Sequence, residues 1–69
     1  MNRITLQVNG EPRSVSAPAT VEDLLRTLAL DPRTVVVELN ERIVRRPQHP
    51  ATALVDGDRV EIVHFVGGG

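Results

Sequence analysis

The residues of this 69-residue chain that could do chemistry stand at its end, where Val66 is followed by Gly67, Gly68 and Gly69. Three of its five glycines are there. Glycine has no Cβ and costs the most conformational entropy to order, so residues 67–69 are expected to form a flexible, unbranched tail able to enter a channel too narrow for other residues. Its tip would carry an α-carboxylate, ionised at neutral pH and free of steric bulk. A carboxylate is a poor electrophile, but its oxygen can attack the α-phosphate of ATP to form an acyl adenylate, from which a sulfur nucleophile displaces AMP. A terminal glycine run also fits a frayed end with no role. That reading is weakened because Gly67 follows an apolar strand with no polar spacer.

Little else in the chain offers chemistry. It has no cysteine, which excludes disulfides, thiolate metal sites, iron–sulfur clusters and a cysteine nucleophile together. Two histidines, His49 and His64, are too few for a catalytic zinc site, and no metal site is expected. Ser14 and Ser16 fall in a predicted strand beside no histidine, the carboxylates are scattered, and there is no phosphate-cradling glycine loop. Nor does so short a chain leave much room for a pocket of ~300 Å³ or more. These absences point away from an enzyme acting alone and from a bound cofactor, leaving a substrate or a carrier.

Eight basic and nine acidic residues are interspersed, for a net charge of −1, so there is no field to gather nucleic acid or hold a membrane surface. The densest basic cluster, Arg42, Arg45 and Arg46, reads as a solvated strand end. Every basic residue is arginine; the absence of lysine fits a protein that forms no lysine-linked chains, and a codon bias explains it equally well. No apolar run approaches the ~20 residues of a membrane helix, and no signal-peptide pattern is present, so a cytoplasmic protein is the default expectation.

The elements that must position this end follow from periodicity. Ile4, Leu6 and Val8 alternate with Arg3, Thr5 and Gln7 as in a half-buried strand, and Asn9-Gly10 favours a type I′ hairpin turn. Val15 and Ala17 give a weaker second strand ending at Pro18. Thr20 is placed to cap a helix through the N–H of Asp23, and Val21, Leu24, Leu25 and Leu28 form one apolar stripe before Asp31-Pro32 stops it. Thr34 to Leu39 reads as a third strand, which Asn40-Glu41 turns into a short fourth around Ile43 and Val44. Pro47 and Pro50 bracket a loop expected to hold a single helical turn near Leu54. After the Asp56-Gly57-Asp58 turn, Arg59 to Val66 is apolar on both faces and suits an interior strand. Five strands and one helix make a two-layer α+β domain over residues 1–66.

Val8-Asn9-Gly10-Glu11, Val37-Glu38-Leu39-Asn40 with Ile43-Val44, Asp56-Gly57-Asp58 before Val60-Glu61-Ile62-Val63, and Val66-Gly67-Gly68-Gly69 together resemble the ThiS family of bacterial thiamine-pathway sulfur carriers. The resemblance covers essentially the whole chain. It implies a ubiquitin-like β-grasp fold, a mixed five-stranded sheet whose last strand is central and parallel to the first, with one helix on one face. It also implies that Gly69 is adenylated by a ThiF-type adenylyltransferase using ATP and converted to a thiocarboxylate. The sulfur comes from a donor such as a cysteine desulfurase persulfide and passes to a ThiG-type thiazole synthase. Gly68 matches the family's other terminal glycine, and Gly67 a looser position. Two rivals stand beside this reading, a MoaD-like carrier for molybdopterin synthesis and a β-grasp binding module whose glycines are only a tail.

If Val60 and Ile62 face the helix, strict alternation puts Val63 and Phe65, the only aromatic, on the open face with Val36. There they would form a docking patch for the activating enzyme beside the reactive tail. A bulge would instead turn Phe65 into the core, and the sequence leaves both registers open. His64 reads as a solvated strand residue without a role.

Overall fold

Alternating side chains in β1 (Asn2–Val8) bury Leu6 and Val8 and leave Arg3 and Thr5 exposed. The computed structural model describes residues 2–65; the expected tail at 67–69 lies outside them. Asn9 and Gly10, at φ 51° and 83°, reverse the chain as expected into the antiparallel strand β2 (Glu11–Ala17). This strand is longer than its apolar signal, because residues 11–14 are exposed and are held by the ladder to β1 rather than by burial.

Two residues of β3 (Ala19–Thr20) lead into helix α1 (Val21–Thr27). Thr20 Oγ1 accepts the Asp23 N–H at 3.1 Å, and Asp23 Oδ2 accepts the Thr20 N–H at 2.9 Å. This is a reciprocal capping box, with an aspartate where glutamate is usual. The helix ends earlier than Asp31-Pro32. Ala29, at φ 59°, donates to Arg26 O at 3.0 Å and Leu30 donates to Leu25 O at 2.9 Å, the paired bonds of a Schellman stop. Asp31 instead caps a single 3₁₀ turn, Pro32–Thr34.

The strands β4 (Val35–Leu39) and β5 (Arg42–Val44) follow, joined by Asn40 and Glu41, both at positive φ. The helical turn expected near Leu54 lies upstream, as a 3₁₀ segment at Arg46–Ala51 that the prolines at 47 and 50 shape. Leu54 belongs to β6 (Ala53–Leu54), which pairs with β3 in a small second sheet. That sheet was not anticipated, since two-residue strands carry no periodicity. The last strand, β7 (Arg59–His64), completes a five-stranded sheet in the order β2-β1-β7-β4-β5. It is central, parallel to β1 and antiparallel to β4, with α1 covering one face. Leu6, Val21, Leu24, Leu25, Val37 and Val60 are the most deeply buried side chains.

The central strand is fastened from both sides by asparagine side chains. Toward β1, Gln7 donates to Asp58 O and Asn9 donates to Val60 O, each at 2.9 Å. The ladder would stop there because the chain turns back. The Asn9 side chain continues it, its Nδ2 donating to Ile62 O at 3.1 Å and its Oδ1 accepting the Ile62 N–H at 2.7 Å. Toward β4, the Asn40 N–H donates to Arg59 O at 2.8 Å, and Asn40 Oδ1 accepts the Arg59 N–H at 2.9 Å. Asn40 Nδ2 also donates to the buried Asp58 at 3.0 Å, whose other carboxylate oxygen accepts the Val55 N–H at 2.8 Å.

Replacing Asn9 by alanine strips both polar groups of Ile62 of partners and places at φ 51° a residue that tolerates the left-handed region less well than asparagine. The expected cost is about 2–4 kcal/mol, most of the ~3–5 kcal/mol that a core of this size supplies. Asn9→Gly, which relieves the backbone and removes only the clasp, should cost about 1–2 kcal/mol. Urea unfolding reads both; wild-type midpoints for the pair would show that the clasp contributes nothing.

Candidate functional site

On β7 exposure alternates from Arg59 to Val63, His64 at the strand's end is exposed as well, and the pairing with β4 runs on without a bulge to His64. Val60 and Ile62 are 0% and 7% exposed against α1, while Val63 and Phe65 are 58% and 45% exposed on the opposite face. The register without a bulge is therefore the one present, and Phe65 is a surface residue. Val63 stands directly across from Val36, and the Phe65 N–H donates to Thr34 O at 3.2 Å just past the strand's end. Ile43, across from Glu38, extends the apolar strip to β5. Val63 and Phe65 are thus brought together as expected. Gly67, Gly68 and Gly69 lie outside the described residues.

The sequence did not reveal what surrounds Phe65. A surface recess of about 420 Å³ is lined by Pro32, Arg33, Arg45, Arg46, Pro47 and Phe65. The basic run at 42–46 is therefore divided, with Arg45 and Arg46 joining Arg33 at the recess while Arg42 pairs with Leu39 at the end of β5. Arg33 comes from a different loop, and only the β4–β5 pairing brings it near; the sole local clue is that 33 and 45–46 flank a predicted hairpin. Its guanidinium bonds Asp31 at 3.1 and 2.8 Å, and the Arg33 N–H adds a bond at 2.9 Å. Together they hold the Asp31 carboxyl down to about 2, the side-chain bonds contributing most. A depressed carboxyl contributes stability above its ordinary titration range and loses it as pH falls toward that value, so this pair is fully formed at neutral pH.

Elsewhere the polar side chains serve the fold. Arg3 spans the β1–β2 hairpin by donating to Ser14 Oγ at 2.9 Å and Ser16 Oγ at 3.2 Å, which accounts for both serines. His49 is buried beneath the 3₁₀ segment with Nε2 3.2 Å from Val44 O, and His64 is exposed on β7. Among the described residues no three His, Asp or Glu side chains come together as a metal-ligand set, and no helix is long and apolar enough to cross a membrane.

Comparison with known proteins places this geometry. A family model described as the ThiS family matches residues 6–69. The chain is 40% identical over 65 residues to the sulfur carrier protein ThiS of Bacillus subtilis, covering 93% of this chain and 98% of that one. It is also 50% identical over 64 residues to a thiazole synthase of Paramagnetospirillum magneticum, covering 93% of this chain but 20% of that protein. A second thiazole synthase, from Magnetococcus marinus, shows the same share, so the chain spans about a fifth of the length of these relatives. Among solved structures, the thiamine biosynthesis protein ThiS of Geobacter metallireducens superimposes with a TM-score of 0.82 at 39% identity, covering 96% of this chain and all of that one. With a central β7 parallel to β1, one helix on one face and a family match reaching through the glycine run, the chain is a ubiquitin-like β-grasp domain and belongs to the ThiS family.

Proposed function

We propose that this chain is a sulfur carrier of thiamine biosynthesis, with Gly69 as its reacting residue. The observation that carries the reading is the family match running through residue 69. It is supported by a relative named as a sulfur carrier, 98% of whose length this chain covers. The chemistry is that of a carboxylate made electrophilic. A ThiF-type adenylyltransferase lets a Gly69 oxygen attack the α-phosphate of ATP, forming the acyl adenylate and releasing pyrophosphate. The outer sulfur of a persulfide donor, such as that of a cysteine desulfurase, then displaces AMP to form an acyl disulfide, and a thiol attacks the donor cysteine's sulfur, forming a disulfide with it and releasing the thiocarboxylate. A ThiG-type thiazole synthase consumes that sulfur, in keeping with the thiazole synthases among the relatives. The chain itself binds no ATP in this scheme and acts as a co-substrate in the cytoplasm. Gly67 and Gly68 suit passage through a narrow channel, because neither presents a Cβ to its walls.

The family match also favours the thiamine branch over molybdopterin carriers. Val63 and Phe65, exposed beside the start of the tail, serve as the docking patch.

Intact-mass analysis after incubation with ATP, a ThiF-type enzyme and a sulfur source should show one oxygen replaced by sulfur in the full chain, and no such change in a chain lacking Gly69. An unaltered full chain beside demonstrably active enzyme would sink the carrier reading. Phe65→Ala should leave the thermal melt nearly unchanged, within about 0.5 kcal/mol as for other surface positions. It should also lower kcat/KM for adenylation about tenfold or more, as expected of an aromatic anchor; an unfolded variant or an unchanged rate would contradict the docking role.

A further inference from the structure

β2 is a free edge of the five-stranded sheet. The turn at Asn9-Gly10 decides which of its backbone groups are used. Val8 and Glu11 close the two-residue hairpin as a bonded pair, and along an antiparallel ladder bonded pairs alternate with non-bonded ones. Leu6 with Arg13 and Ile4 with Val15 are then bonded too, so residues 11, 13, 15 and 17 face β1, while Pro12, Ser14 and Ser16 turn their backbone groups outward. Among the described residues the N–H groups of Ser14 and Ser16 have no acceptor, and Ser14 O takes the Arg3 guanidinium, from Nη2 at 2.9 Å. Pro12, which has no N–H, and Pro18, just past the strand, bound this open stretch.

The edge borders a recess of about 380 Å³. Val15, Ala19 and Leu24 line it from the helix side, and Arg3, Ser14 and Ser16 from the open side, so it lies along the outer margin of β2. Arg3 stands across from Ser16 on the open face and donates to both serine hydroxyls, yet among the described residues it has no carboxylate in ion-pair range. Asp23, the one carboxylate at the recess, is already engaged by the Thr20 N–H at 2.9 Å and by Arg26 at 3.5 Å. The margin therefore offers unpaired backbone groups, an apolar wall on one side and an unneutralised cation on the other.

We propose that the outer edge of β2 binds an extended segment of a partner protein by strand addition, its backbone bonded to Ser14 and Ser16 and its side chains alternately apolar and acidic. The alternation follows from the pleat: one side chain falls on the helix side against Val15 and Leu24, and the next falls on the open side beside Arg3. The acidic residue supplies the counter-charge that Arg3 lacks. A second copy of the chain does not fit this edge as well. Two β2 strands paired antiparallel about Ser14 would set one Arg3 beside the other, with no carboxylate between them. β1 stands between β2 and β7, so the site is separate from the face that carries Val63 and Phe65 and does not depend on the carrier chemistry.

The test is an NMR titration of the full chain with a seven-residue peptide alternating valine and aspartate. The Ser14 and Ser16 amides should shift most and exchange with solvent at least tenfold more slowly in the complex, while those of Arg13 and Val15, already bonded to β1, should change little. A peptide with lysine in place of aspartate should bind about tenfold more weakly, and Arg3→Ala should erase that preference. Ser14→Pro removes one outward N–H and spares the ladder to β1, so it should weaken binding tenfold or more with the thermal melt nearly unchanged. Should that variant fail to fold, the same valine–aspartate peptide with every amide N-methylated, which cannot donate to Ser14 O, gives the equivalent control on the wild type and should not bind. No binding of the aspartate peptide, shifts centred on another surface, or equal binding of the methylated peptide would overturn strand addition. Equal affinity for the lysine peptide would overturn the acidic partner. Sedimentation showing a dimer whose Ser14 and Ser16 amides are already protected would assign the edge to a second copy and overturn the proposal as well.

Discussion

The parallel ladder between β1 and β7 ends at Val8 and Val60, and the strand at the centre of the fold would lose its neighbour there without Asn9. Hydrogen bonding along β7 alternates, residues 58, 60 and 62 turning toward β1 and residue 59 toward Asn40 on the other side. Each asparagine takes over where a backbone has turned away. Asn9 does so for Ile62, whose side chain is in the core and whose successor, Val63, is on the open face. The same left-handed turn conformation that reverses the chain at Asn9 and Asn40 aims their amides at the strand between them. Asparagine suits both tasks, since it tolerates positive φ and carries one donor and one acceptor.

From that fastening the surface follows. With β7 held in register, alternate residues must project away from the helix, and Glu61, Val63 and Phe65 form a line whose partners on β4 are Glu38 and Val36. The exposed apolar residues are therefore a by-product of strand geometry rather than of weak packing. Fold and face draw on different positions of the same strand, so a substitution on one side need not disturb the other. A domain this small, with no cysteine to form a disulfide, depends on such economy.

Local signals carried much of this. The Asn9-Gly10 turn, the Thr20 cap, an interior place for the last strand and the outward direction of Val63 each follow from residue type and period, while the central position of that strand, parallel to the first, was implied by the family resemblance. What was not legible depends on distance in sequence or on an atypical residue. Asn9 meets Ile62 across 53 positions, and nothing local distinguishes a clasp from a turn residue. The helix stop was missed because Ala29 occupies a left-handed position that usually advertises itself as glycine. The recess beside Phe65 joins two arginine-bearing loops that only tertiary pairing brings together.

Native-state hydrogen exchange on the full chain tests the clasp most directly. The amides of Ile62 and Arg59 donate to side chains of turn residues, and ordinary turn contacts open locally. If the asparagines fasten the central strand, both amides exchange only through global unfolding, at the rate of buried strand amides. Exchange as fast as that of exposed turn amides would contradict the account.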